Sequence, residues 1–265
     1  MNYSDIHVTY SLTDGLEQRD VAAAVELLSP AERARHDRLR FARNRRDFAV
    51  AHAMLRRALS SHDGRQPHEW TFASGARGKP MLPRDVALST HLAFNIAHTD
   101  GLVACAVVHD ADVGIDVETI DRETHALDLA RRYFSETECA DLEQCAESQR
   151  QTRFIEIWTL KEAYVKAIGE GLSRPLNGFT FVFDGRSSVR LESTAVGEED
   201  NWRFALFAPS HRHRMSVALR GDSPDARRIT IHADGSAAAA ERGTIVPLRS
   251  NVSPRPTAAK TFVHK

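Results

Sequence analysis

Cysteine is scarce in this chain: Cys105, Cys139 and Cys145 are the three in 265 residues. No two of them make a C-x-x-C and an odd number cannot all pair, so reduced thiols in a reducing compartment are expected. No stretch approaches the ~18 apolar residues of a membrane span, and the opening MNYSDIHVTYSLTDG has no basic segment leading into an apolar run. A cytoplasmic, membrane-free protein is the expectation. An excess of charge of either sign is also missing. Lys and Arg number 35 against 36 Asp and Glu, for a net charge of −1, which offers no general attraction to nucleic acid or to an anionic membrane. No internal repeat is visible. What remains is ordinary for a globular protein, 27% charged and 42% hydrophobic, and long enough for a large core in one long domain or two halves.

Two stretches carry chemistry. Residues 154–173 read FIEIWTLKEAYVKAIGEGLS, with Trp158, Glu162 and Lys166 four apart and Gly169 and Gly171 as stop signals. The spacing predicts a helix with these three on one face. Glu162 and Lys166 alone would also suit a salt-bridged surface helix. Upstream, residues 113–118 read VGIDVE. In a strand, residues two apart share a face, so Asp116 and Glu118 project together. Like charges so placed repel unless a cation, protons or solvent relieves them. Together the two stretches suggest a Mg²⁺ site beside phosphate-binding lysines, since Mg²⁺ favours a few carboxylates plus phosphate oxygens.

The segments GID-V-E and W-T-L-K-E-A-x-x-K, about forty residues apart, resemble the signature of the Sfp-type, pseudo-dimeric 4′-phosphopantetheinyl transferases. GKPML at 78–82, FNIAHTDG at 94–101, the basic segment RFARNRRDFAVAHAMLR at 40–56 and FSETE at 134–138 fit the same family, in its order. The resemblance covers roughly residues 27–220. It implies an α+β fold of two similar halves, each a helix on an antiparallel sheet, related by a pseudo-two-fold axis with the active site in the cleft between them. It implies Asp116, Glu118 and Glu162 as Mg²⁺ ligands. For coenzyme A it implies Arg43 at the 3′-phosphate, Lys79 near the nucleotide, His98 with Thr99 at the pyrophosphate, and Lys161 and Lys166 on phosphate oxygens. Where the family often has serine, this chain has Ala97.

The local signals place these residues. Residues 6–12 alternate as a strand. Ser29-Pro30-Ala31-Glu32 and Ser135-Glu136-Thr137-Glu138 are capping boxes. A helical segment runs from the first of them to Ser61 with Phe48, Ala51, Leu55 and Leu59 as its core stripe, and seven arginines from Arg33 to Arg46 could serve as an anion site or as a solvated face. Strands are expected over 69–73, 94–96 and 102–108, with His98 in the turn 97–101 between the last two. Residues 127–134 read as a helix, and 179–183, 189–192, 202–207 and 215–220 as an antiparallel set. The expected organisation is an N-terminal half over 1–111, a C-terminal half over 112–221, and a flexible or loosely packed extension over 222–265.

The activity implied is Mg²⁺-dependent transfer of 4′-phosphopantetheine from coenzyme A to a serine of an apo carrier protein, releasing 3′,5′-ADP, by a monomer. Glu162, directly or through water, or Lys166 would take the serine proton. A binding homologue without catalysis is the alternative. A metal-dependent nuclease is disfavoured, because K-E-A-x-x-K lies on a helix and the near-neutral charge offers no duplex-tracking stripe.

Overall fold

The computed structural model describes residues 6–75, 80–122, 124–169, 174–185, 188–193, 201–220, 229–233 and 248–250. The first half runs β1 (Ile6–Leu12), α1 (Gln18–Glu26), α2 (Pro30–Arg38), α3 (Ala42–Asp63), β2 (Ala73–Ser74), β3 (Pro80–Met81), α4 (Arg84–Thr90), β4 (Leu92–Thr99) and β5 (Leu102–His109). The second runs β6 (Asp112–Thr119), α5 (Ala126–Tyr133), α6 (Glu136–Gln144), α7 (Glu147–Ile168), β7 (Phe179–Val182), β8 (Arg190–Ser193), β9 (Trp202–Ser210) and β10 (His213–Arg220). Each half thus has a leading strand, two short helices, a helix of 22 residues, a two-stranded ribbon and a closing hairpin. The pairing repeats as well: β5 lies between β1 and β4, and β10 between β6 and β9, all antiparallel. The two similar halves implied by the resemblance are present as an α+β fold.

Alternation along the strands explains the layering. In β5, Leu102, Ala104, Ala106 and Val108 enter a core shared by both sheets, while Val103, Cys105 and Val107 pack with the α3 side chains. In the second half Val113, Ile115 and Val117 of β6 and Met215, Val217 and Leu219 of β10 fill the same shared core. Ala218 packs with Leu160, Ala163 and Tyr164 of α7. The sheets lie face to face with one long helix on each outer side. Among the described residues no helix is long and apolar enough to cross a membrane.

Several local expectations are corrected. The helical segment from Ser29 breaks at residues 39–41: Leu39 turns extended at ψ 126°, and Arg45 bonds the Leu39 carbonyl across the break at 2.8 Å. Of the segment 69–73, Glu69 ends a 3-10 turn (Pro67–Glu69), residues 70–72 have no regular structure and carry the buried Trp70, and only Ala73 is in strand. His98 is in β4, not in a turn, because the hairpin reverses at Asp100 and Gly101, the latter at φ 79°. Nor is the extension loosely packed where it is described. β11 (Ile229–Ala233) pairs parallel with β1, and β12 (Arg249–Ser250) pairs with β9. Ile229 and Ile231 pack against the shared core, and the Leu248 amide bonds the Leu206 carbonyl at 2.7 Å. The extension supplies one of the two outer strands of each sheet.

The helices α2 and α3 are tied by one partly buried carboxylate. Glu32 accepts from the Ser29 amide at 2.8 Å and from Arg56 Nη2 at 2.6 Å, and shares a 2.8 Å bond with His52 Nδ1. Burial alone would raise its pKa, but His52, the Ser29 amide and Arg56 together lower it to about 2.

Candidate active site

The acidic pair sits where the pleat of β6 predicts. Val113, Ile115 and Val117 face inward, which leaves Gly114 and Asp116 toward α7. The helix comes unusually close: a Cβ on Gly114 would lie 1.9 Å from the Ala163 carbonyl oxygen and 2.6 Å from the Ala167 amide nitrogen. Glycine at this position lets the strand and helix backbones touch. Behind the contact, Thr159 and Ser216 share a buried 2.8 Å hydroxyl bond between α7 and β10.

This approach brings Lys166 onto Asp116. Its Nζ donates to Asp116 Oδ1 at 2.6 Å and to the Ile115 carbonyl at 3.3 Å. Asp116 is 7% exposed, and its second oxygen, Oδ2, is buried without a hydrogen-bond partner among the described residues. Burial raises the Asp116 pKa, with Lys166 opposing. Glu118 accepts from Thr99 Oγ1 at 3.2 Å and lies 4.0 Å from Arg122. Burial raises its pKa, and the charge of Asp116 adds to the effect. Glu162 is raised by burial, then by Asp116, with Lys166 opposing and Glu118 adding. Three carboxylates therefore share one field with the ammonium of Lys166. A buried carboxylate oxygen without a donor, inside a set of mutually repelling acids, is the chemistry of a divalent-cation site. As placed, no three acidic, imidazole or thiol groups among the described residues enclose a metal ion; Lys166 meets Asp116 instead.

Two cavities flank these groups. One of about 270 Å³ is lined by Arg35, Phe48, His52, Asn95, His98 and Lys166, among others. The other, about 300 Å³, is lined by Arg43, Thr99, Asp100, Glu118, Arg122 and Arg212, among others. The neighbours His98 and Thr99 on β4 thus line different cavities, and Arg43 faces Asp100 at 3.8 Å. The structure brings Asp116, Glu118, Glu162, Lys166, His98, Thr99 and Arg43 to one region. Lys79 lies outside the described residues.

Lys161 does not join them, which corrects its expected place on phosphate oxygens. It is fully buried on another side of α7 and bonded to Glu138 at 2.8 Å. Sequence reasoning also missed Asn95, which is fully buried and accepts the Ile115 amide at 3.3 Å through Oδ1. With the Thr99–Glu118 bond it ties β4 of the first half to β6 of the second. The only sequence signal was its place in FNIAHT, between two apolar strand residues.

The family model described as the 4′-phosphopantetheinyl transferase superfamily matches residues 112–218, and that described as 4′-phosphopantetheinyl transferase, N-terminal, matches 17–110. The chain is 36% identical over 203 residues to the 4′-phosphopantetheinyl transferase HetI of Nostoc, covering 77% of this chain and 81% of that one. It is 31% identical over 193 residues to a 4′-phosphopantetheinyl transferase of Bacillus subtilis, covering 72% and 81%. Among solved structures, a holo-(acyl-carrier-protein) synthase from Bacillus anthracis in complex with CoA (3′,5′-ADP) matches 42% of this chain and 96% of its own. At 21% identity and a TM-score of 0.36 that likeness is too slight to bear on the site. The two family models meet where one half of the fold gives way to the other, and the Nostoc relative runs through both: the chain belongs to the 4′-phosphopantetheinyl transferase family.

Proposed function

We propose that the protein transfers 4′-phosphopantetheine from coenzyme A to a serine of an apo carrier protein and releases 3′,5′-ADP. The observation that carries this reading is the buried Asp116 Oδ2, without a donor among the described residues, next to Lys166 and in one electrostatic field with Glu118 and Glu162. Glu118 and Lys166 each line one of the two cavities that carry arginines. Asp116, Glu118 and Glu162 would hold Mg²⁺. When bound, the ion would polarise the attacked phosphorus and neutralise charge on the leaving phosphate.

The chain's own groups account for the rest. His98 and Lys166 share the first cavity and would bind pyrophosphate oxygens, with Arg43 reaching the 3′-phosphate and Lys79 near the nucleotide. The serine oxygen forms a bond to the phosphorus of the pantetheine phosphate. The bond from that phosphorus to the bridging oxygen breaks, and the oxygen leaves with 3′,5′-ADP. The serine proton passes to Glu162, directly or through water. Glu162 suits this role, because burial and its acidic neighbours raise its affinity for a proton, whereas Lys166 donates to Asp116 at 2.6 Å. Positioning and charge neutralisation supply most of such a reaction. Because one chain contributes both halves of the cleft, a monomer suffices. Free thiols at Cys105, Cys139 and Cys145 suit the cytoplasm.

The test compares wild type with Asp116→Ala and Lys166→Ala in coenzyme A-dependent labelling of an apo carrier. Asp116→Ala should lower kcat by about 100-fold or more, the scale of losing a transition-state charge contact, with the fold intact. Lys166→Ala should lower kcat and raise KM for coenzyme A. Wild-type turnover in Asp116→Ala would remove that residue from the site.

A further inference from the structure

One charged pair in the second half takes no part in the site above. Lys161 is 0% exposed and Glu138 1%. Lys161 Nζ lies 2.8 Å from Glu138 Oε2 and donates to the Leu176 and Phe179 carbonyls at 2.7 Å each, which uses all three ammonium hydrogens. It also stands 4.3 Å from the Phe179 ring centroid and 5.6 Å from that of Phe134. Glu138 is equally saturated: Oε2 accepts from the Ser135 amide and hydroxyl at 2.9 and 3.1 Å, and Oε1 from the Phe181 amide at 2.8 Å. Phe134 and Glu138 are the ends of FSETE, and Lys161 opens KEA. Two motifs that stand more than twenty residues apart meet in this one contact.

We propose that Glu138 and Lys161 are a positioning pair for the transfer reaction: they fix the rotation of α7 so that Glu162 and Lys166 meet β6. This rests on the transferase reading given above. Lys161 lies about 140° around the helix from Lys166 at 100° per residue, and it lines neither cavity. On one flank the helix is seated against Gly114; on the other, Lys161 ties it to the start of α6 and to β7. A buried pair of this kind adds little net stability over an apolar pair, but its hydrogen bonds are directional and specify one arrangement. Directionality is what a helix carrying two reacting groups requires.

The test uses the full chain as wild type, Lys161→Met, Glu138→Gln and the double variant. It reads kcat, KM for coenzyme A, Tm, and amide hydrogen exchange along residues 158–168. Each single variant should lower kcat by about 10- to 100-fold and leave KM within about threefold, with faster exchange along α7. The double should be no worse than the worse single, because both changes break one contact. A tenfold or larger rise in KM with kcat kept would make Lys161 a phosphate ligand and overturn the proposal. A fall in Tm with unchanged kcat per folded molecule would make the pair structural only, and would also overturn it. Should the singles fail to fold, the double, which leaves no lone buried charge, carries the same comparison. If wild type transfers nothing, the transferase reading fails on its own, and unchanged exchange along α7 in the double would still refute the anchoring.

Discussion

In Gly114→Ala the new Cβ would stand 1.9 Å from the Ala163 carbonyl oxygen and 2.6 Å from the Ala167 nitrogen, where ordinary contact begins at 3.4 Å. Both neighbours are backbone of α7, so no side chain can swing aside. The helix must retreat by the difference, 3.4 − 1.9, or about 1.5 Å. The Lys166–Asp116 bond would then stretch from 2.6 Å to about 4 Å, beyond hydrogen-bonding reach. Overpacking of this kind costs on the order of 1–3 kcal/mol, and an ångström of misplacement at a reacting group can lower a rate about 100-fold. A calorimetric Tm and steady-state kinetics on one preparation would test both. The expected result is a lower Tm and a kcat down by about 100-fold with helical content kept. Wild-type Tm and kcat would refute the claim that this contact sets the site.

Two further outcomes concern groups outside the cleft. Glu32 has a folded pKa lowered to about 2 against an ordinary value of 4.5. The folded state therefore binds fewer protons than the unfolded one between these values, and the stability that Glu32 adds is complete above 4.5 and lost as pH falls through about 2. The contribution is at most about 3 kcal/mol. Glu32→Gln should flatten the pH dependence of Tm across that window, and an unchanged slope would show that the carboxylate is not the source. Removing residues 223–265 should uncover the outer edges of β1 and β9 and the core surface under Ile229 and Ile231. We expect Tm to fall on the order of 10 °C, from a few kcal/mol of lost apolar burial. An unchanged Tm would show the added strands to be dispensable.

Features set by near neighbours along the chain are legible in the amino-acid sequence alone. Both capping boxes form as expected, at Ser29 and Ser135, because each closes within three residues. The period of two in VGIDVE puts Asp116 on the helix side of β6, and Gly169 ends α7 at φ 80° as a stop signal should. The face of Lys161 is not legible. Helical spacing tells faces apart only when one side is solvated, and α7 buries Leu160, Lys161, Ala163 and Tyr164 on several sides. Its partner Glu138 is far away in sequence, and local patterns say nothing of such a contact. The repeat of the two halves is hidden for a related reason. The two helix–sheet contacts are filled differently, by small residues such as Ala49 and Ala53 on α3, and by an aromatic cluster of Tyr164 on α7 with Trp202 and Phe204 on β9. The pairing of β11 with β1 joins residues more than 200 apart, and a short apolar alternation after a polar stretch gives no hint of its partner.

The measurement that bears most directly on the proposed reaction is the intact mass of an apo carrier domain after incubation with the purified protein, coenzyme A and Mg²⁺, across a panel of carriers. One or more carriers should gain the mass of a single phosphopantetheine group on serine, and EDTA or Asp116→Ala should abolish the gain. A protein that binds coenzyme A with Mg²⁺ yet leaves every carrier in the panel unmodified would contradict the transferase reading, and would make the chain a binding member of its family.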